Sequence, residues 1–384
     1  MSIQIPESAT TDSDEAKREL LERFEEPRRE TRQALAISGN LDERRHTDAD
    51  SIRRHFGIPA WDRSKFEYPQ VVPNLIEKTH DPPAFEAEGG TDFFARGKPG
   101  SGKSTLANYL AARELDVNDA IVVWRGSSAR SEWLPLAPWT RLCLPKGVDV
   151  EVRLEAKNPA DPSVILDVED LERIVREVVR YTDPIDLNHR VLQHGAFHVV
   201  YPDPRMRGCQ ALYEESDRTV EPPTGRELFD REDPADHWWF AWVLARVDHG
   251  PHHWTTWIAD EIGDIAPQSV QKDRFGSYQK VTLLRDSWVD LRKMGVTVHA
   301  YGHAEEDVSD LIRRKLRWRI QMPGQANPTS PSKVVGFDSV PMNADVTSKF
   351  PVGKALCYTE TKFDYLGWKD MPRATNHNLK IKVS

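Results

Sequence analysis

One nine-residue stretch, Gly97-Lys98-Pro99-Gly100-Ser101-Gly102-Lys103-Ser104-Thr105, constrains this chain more than any other. It fits GxxxxGK[ST], and its flanks are those the pattern needs: an apolar run, DFFA (92–95), before it and a helix-forming run, STLANYLAARE, after it. Gly97, Gly100 and Gly102 let the backbone take positive φ and bring its N–H groups close to phosphate oxygens. The helix that follows adds the partial positive charge of its N-terminus. In such a loop Lys103 reaches the β- and γ-phosphates of a nucleotide such as ATP, Ser104 places its hydroxyl on Mg²⁺, and Thr105 lies by the α-phosphate.

A phosphate loop needs an acidic strand beside it. The best candidate is Trp254-Thr255-Thr256-Trp257-Ile258-Ala259-Asp260-Glu261, about 155 residues after the lysine. Asp260 fits the acid that holds the metal through water, and Glu261 the base that polarises an attacking water. Neighbours on a strand point to opposite faces, so both carboxylates reach one site only if the backbone turns at the strand end. A second run, VILDVED (164–170), also ends in carboxylates but lacks the adjacent pair.

The chain has 384 residues, and its net charge of −9 excludes a wholly basic nucleic-acid coat but not a local basic groove. Its 18 lysines against 34 arginines favour planar, bidentate pairing with phosphate or carboxylate; a GC-rich genome produces the same bias. Three well-separated cysteines support neither a disulfide framework nor a CxxC zinc site, so a reduced, intracellular setting is expected. The N-terminal residues show no signal-peptide core, and no run approaches the length of a membrane span.

Residues 1–56 read as a charged helical arm, with helices from Asp12 to Ser38 (split or kinked at Pro27) and over 48–56, and 57–90 as a Pro/Gly-rich linker. Short apolar runs then alternate with helical ones. Strands are expected at 92–95, 120–124, 197–201, 254–259 and 296–301, and helices at 103–114, 170–181, 235–248, 277–294 and 307–316. That alternation predicts an α/β fold with a mainly parallel sheet over 91–322. Residues 126–169 are expected as a small β-rich insertion and 202–234 as a long surface loop. Residues 323–384 are expected as a β-rich tail with a hairpin and loosely held last residues. The HGPHH cluster (249–253) lacks zinc spacing and reads as an exposed turn, and Trp238, Trp239 and Trp242 read as core packing.

The order downstream of Glu261 resembles the FtsK–HerA superfamily of P-loop ATPases, including its Zot-like and viral genome-packaging branches. Leu291-Arg292-Lys293-Met294-Gly295 matches the end of the following helix. His303, or second to it His299, stands where a polar residue senses the γ-phosphate. Asp310-Leu311-Ile312-Arg313-Arg314 matches an arginine-bearing helix, and Trp318-Arg319-Ile320 the strand after it. A histidine at the sensor position departs from the Gln, Asn or Thr usual there. The resemblance implies a RecA-like sheet, with the acidic strand two places from the loop strand. It implies an Mg²⁺-dependent ATPase, acting on DNA as a homo-oligomer that is usually a hexameric ring. An arginine of one subunit would complete the next subunit's site. Arg313 and Arg314 are the first candidates, then Arg285 and Arg292, and the basic run 313–319 is a candidate DNA contact. The arginine bias and unusual insertions would suit a mobile element or a virus of haloarchaea, with a cytoplasmic or virion-associated protein. Two other readings share the loop: a small-substrate phosphotransferase, and a nucleotide-binding structural protein of an assembly.

Overall fold

The computed structural model describes residues 14–37, 41–66, 71–78, 92–218, 225–325, 345–359 and 362–384. Parts of the expected 1–56 arm, of the 57–90 linker and of the 323–384 tail lie outside them.

Strands β1 (Phe93–Arg96), β2 (Ile121–Arg125), β3 (Thr140–Pro145), β6 (Glu177–Tyr181), β7 (Phe197–Val200), β8 (Thr255–Ala259), β9 (Val296–Gly302) and β10 (Trp318–Gln321) run parallel in one sheet. β11 (Lys354–Tyr358) and β12 (Phe363–Gly367) continue it as an antiparallel hairpin. The order is β12-β11-β10-β1-β9-β8-β2-β7-β3-β6. The loop strand β1 thus lies between β10 and β9, with the acidic strand β8 one place beyond β9. Both faces are covered, which is why the strands read as unbroken apolar runs rather than alternating ones. Phe93, Val122, Trp124 and Ile258 enter one core; Phe94, Ile121, Val123 and Trp257 enter the other.

The first core is roofed by helices α1 (Asp14–Ile37), α2 (Leu41–Phe56) and α3 (Lys103–Asn118), the second by α4 (Trp238–Asp248) and α5 (Ser277–Lys293). Trp238, Trp239 and Trp242 are all fully buried, and the Trp239 ring stacks on Trp257 with centroids 5.5 Å apart. They are core residues, as expected.

Several elements differ from expectation, each for a local reason. The N-terminal arm, expected as a charged helix, also packs an apolar face against the first core. Leu20, Leu21 and Phe24 are buried, and Lys17 pairs with Asp167 at 2.8 Å and Asp170 at 2.6 Å. α1 is one helix through Pro27, and α2 begins seven residues before the expected start. The helix expected over 170–181 stops at Ile174, and Glu177–Tyr181 is a strand. Its Val178, Val179 and Tyr181 suit a pleated surface, and β3 offers a partner. The 202–234 stretch contains a helix, Cys209–Glu215, and buries Leu212, Tyr213, Leu228 and Phe229. The helix expected at 307–316 is only Asp310–Arg313.

The largest departure is at the C-terminus. β13 (His377–Val383) pairs along seven residues with β4 (Val150–Ala156), which in turn pairs with β5 (Val164–Leu166) in a separate three-stranded sheet. Leu379 and Ile381 are fully buried. The β character expected of 126–169 is there, but its partner comes from the far end of the chain. β3, within that stretch, belongs to the main sheet.

Candidate nucleotide-binding site

The loop 97–102 leaves the C-terminal end of β1 and enters α3 at Lys103, with Gly102 as N-cap at φ +89°. A side chain could not replace this glycine without strain: a Cβ here would also stand 2.9 Å from Val352 and 3.2 Å from Trp368, which cover the loop. At Gly97 a Cβ would meet Ser101 and Met322 well inside contact distance. Gly97 N–H donates to Gly302 O at 3.2 Å, which ties the loop to the end of β9.

Beside the loop lies a cavity of about 450 Å³, lined by Lys98–Gly100, Gly102–Thr105, Arg130, Glu132, Asp260, Glu261, His303 and Val352. Four groups expected from sequence are therefore joined by the fold: Lys103, Ser104, the acidic pair and His303. The Lys103 ammonium donates to Gly97 O and approaches His303 Nδ1 at 3.2 Å. His303 Nε2 lies 3.3 Å from Glu261 Oε1. His303 Nδ1 lies 3.2 Å from both the Lys103 ammonium and Gly97 O, and its Nε2 faces Glu261. His303 thus bridges the lysine and the acid, whereas His299 is buried beside Glu114 at 3.5 Å and is absent from the cavity lining.

The acidic pair shows how two adjacent residues reach one site. Asp260 follows directly on β8, and Glu261 takes φ +50°, ψ 65° as N-cap of the short helix Ile262–Ile265. A non-glycine residue in this region is held there at a cost of about 1–2 kcal/mol. The turn brings the second carboxylate round to the cavity. Asp260 is pushed up to about 7, mainly by burial, with Glu132 and Glu261 adding negative charge nearby and Arg130 and Arg125 opposing. Its Oδ2 is buried with no hydrogen-bond partner. Burial also lowers Lys103, against the pull of Glu261 and Asp260.

A buried carboxylate oxygen without a partner, beside a lysine and the hydroxyl of Ser104, fits a site for a metal-bound polyphosphate. A second chamber of about 460 Å³ shares Ser104, Thr105 and Glu132 with the first and continues past Asn108 to Lys157 and Met371–Asn376. Arg373 and Lys157 there are both lowered by burial.

Sequence reasoning missed Arg125, Arg130 and Glu132. Arg125 is spent inside the protein, donating to Asp260 O at 2.7 Å and pairing with Asp236 and Asp264. Arg130 pairs with Glu261 at 3.3 Å and Asp264 at 3.5 Å. The signal available was the polar run RGSSARSE directly after a buried strand, at the end of a parallel sheet where sites form.

The arginines expected to complete a neighbouring subunit's site lie outside this chain's own cavity, as that role requires. Arg313 pairs with Asp310 and donates to Glu305 O; Arg319 is buried on Glu305 at 2.8 Å; Arg285 holds Asp286 at 2.7 Å. None of these, nor Arg314 or Arg292, lines either chamber. The basic run 313–319 is narrower as a surface than as a sequence, since Arg319 is inside and Arg313 is paired. Asp167 of the competing VILDVED run pairs with Lys17 and is not in the cavity. His249 and His253 are exposed, and no group of His, Cys, Asp and Glu among the described residues is arranged to hold a metal ion. No helix of the described residues is long and apolar enough to cross a membrane.

No protein-family model matches the chain, and no curated protein matches it. Solved structures similar to it include the genome packaging NTPase B204 from Sulfolobus turreted icosahedral virus 2 in complex with sulfate (12% identity, 74% of this chain and 98% of that one, TM-score 0.39). Others are the N-terminal domain of zonular occludens toxin from Neisseria meningitidis (11%, 77% and 94%, 0.28) and VirB4 of Thermoanaerobacter pseudethanolicus (11%, 73% and 90%, 0.35). The strand order and the loop geometry stand independently of these likenesses. With the glycine loop at the end of β1, β9 inserted before the acidic strand β8, and helices on both faces, the chain has a RecA-like P-loop α/β fold, the fold implied by its resemblance to the FtsK–HerA superfamily.

Proposed function

We propose that this protein binds and hydrolyses ATP with Mg²⁺ and spends that energy moving or remodelling DNA, as a ring-forming motor of the FtsK–HerA type in translocation, packaging or virion assembly. The observation that carries the hydrolase reading is the convergence of Lys103, Ser104, Asp260, Glu261 and His303 on one cavity. The DNA and ring parts rest on the motif order after Glu261 and on the exposed basic residues that remain around Arg314.

The loop N–H groups and Lys103 hold the phosphates, and Thr105 leads toward the second chamber, which takes the nucleoside. Ser104 and, through water, Asp260 are the residues that would hold magnesium, whose chemistry there is neutralisation of phosphate charge. Glu261 orients the attacking water and accepts its proton. His303 lies between Glu261 and Lys103, so that one imidazole links the base to the phosphate clamp. A small-substrate kinase is less favoured, because the carboxylate is set for water beside the loop and the arginine-rich 202–234 stretch packs into the core instead of forming a lid.

The test is an Mg-ATPase assay with and without double-stranded DNA, with mass measured in the same buffer. Turnover abolished by Lys103→Ala, and lost in Glu261→Gln with binding retained, supports the hydrolase. DNA stimulation in a ring supports the motor. Full turnover in Glu261→Gln overturns the assignment of the base, and binding without turnover in the wild type favours a structural nucleotide.

A further inference from the structure

Among the described residues Arg130 is the arginine that lines the phosphate-loop cavity, and it belongs to none of the motifs read from the sequence. It sits on the tight turn after β2, where Ser127 and Arg130 form an isolated antiparallel bridge. About one third of its side chain is exposed, into the cavity mouth. Its partners are the carboxylates of Glu261 and Asp264 at 3.3 and 3.5 Å, separations at which the pairs are loose. Its charge is felt by both Lys103 and Asp260. Asp264 has a firmer partner in Arg125 at 3.2 Å, and Glu261 has His303 at 3.3 Å. Arg130 can therefore leave both acids without stranding a buried charge.

On the reading that this cavity takes a nucleoside triphosphate, we propose that Arg130 is a phosphate-contacting residue supplied by the same chain. Its guanidinium exchanges Glu261 for the terminal phosphate, which distinguishes triphosphate from diphosphate and releases Glu261 to hold water. A planar fork binds phosphate oxygens in pairs, and a terminal phosphate outcompetes a single loosely held carboxylate. The charge that the resemblance assigns to a neighbouring subunit is then present, at least in part, within each subunit.

The experiment measures binding of fluorescent ADP and of a fluorescent non-hydrolysable ATP analogue, by anisotropy, to wild type, Arg130→Ala, Arg130→Lys and Glu261→Gln. Arg130→Ala is expected to weaken the triphosphate about ten-fold or more, the range for a lost hydrogen bond to a charged group, and the diphosphate by less than about three-fold. Arg130→Lys keeps the charge but not the fork and falls between. Glu261→Gln removes the competitor and tightens the triphosphate, and that gain disappears in the double variant with Arg130→Ala. An unchanged triphosphate-to-diphosphate ratio in Arg130→Ala, or equal losses for both nucleotides with a lowered melting temperature, overturns the proposal. Failure of the wild type to bind either nucleotide overturns the underlying reading with it, whereas normal wild-type binding with an unchanged ratio removes Arg130 alone.

Discussion

His198, on an inner strand of the sheet, makes the fold sensitive to acid, by an amount that can be worked out. It lies on β7, fully buried, with Nε2 accepting from Gln193 N–H and Nδ1 donating to Val122 O, both at 3.1 Å. Both nitrogens are satisfied only in the neutral ring; a second proton would face an N–H donor. Burial, helped by the Arg141 charge, pushes it down to about 3. The native state therefore stays neutral at pH 4.5 while the unfolded chain, titrating near 6.5, takes up a proton. With the folded value depressed, the unfolded state binds more protons over roughly pH 3 to 6.5, so stability falls as pH falls through that window. At pH 4.5 the loss is about 2.5 kcal/mol, and it changes little if the native value is a unit higher, because pH 4.5 remains above it. The assay is urea unfolding of wild type and His198→Gln at pH 7.5 and 4.5. Whatever the variant's stability at pH 7.5, its loss between the two pH values should be smaller than that of the wild type by about 2 kcal/mol. Equal losses would refute the reasoning.

Three further outcomes follow from the same structure. Gly102→Ala should fold with stability lower by about 1–2 kcal/mol, from φ +89° and the contact with Val352, yet lose fluorescent-nucleotide binding; retained binding would show that the loop tolerates a side chain. Arg246→Met should raise the melting temperature, because Arg246 is buried with Nε and Nη1 unpartnered and burial has pushed it down to about 9; a gain of about 1–2 kcal/mol is expected, and a loss would mean that its bond to Thr255 matters more. Removing residues 377–384 should cost about 4 kcal/mol or more from Leu379 and Ile381 alone, read as a lowered urea midpoint, and an unchanged midpoint would show that β4 is held without β13.

What the sequence shows and what it hides divide along physical lines. The glycine loop was legible because its requirements are local: positive φ, close approach and a helix start all fall within nine residues. The five core strands were legible because a strand covered on both faces must be apolar along its length. The strand Glu177–Tyr181 was not, since a short charged-and-valine run suits either state until β3 is placed beside it. β13 was read as a loose end because KIKV alternates weakly and its partner is distant in the chain. At the site, Lys103, Ser104, Asp260, Glu261 and His303 came from motif order. Arg130 and Glu132 did not, since their place is set by where β2 ends relative to β8, which is a fact of sheet order and not of spacing. Arg313 and Arg314 were carried over from a family pattern, and the fold leaves both outside the two chambers.

The pairing of β13 with β4 has a consequence for how the protein comes to be folded. Asn378 meets Glu155 and Val383 meets Val150, more than 220 residues apart in the chain. Contacts this distant close large loops before they return any energy, and they slow folding accordingly. The second chamber is walled by residues just ahead of β13, and the phosphate loop is covered by Val352 and Trp368 from the same region. In the main sheet β1 meets β10 across a similar distance, Phe93 beside Trp318, so the nucleotide pocket is finished only when both of these distant pairings are made. Nucleotide that binds only the finished pocket then acts as a selective ligand for the completed chain, drawing late intermediates forward by mass action.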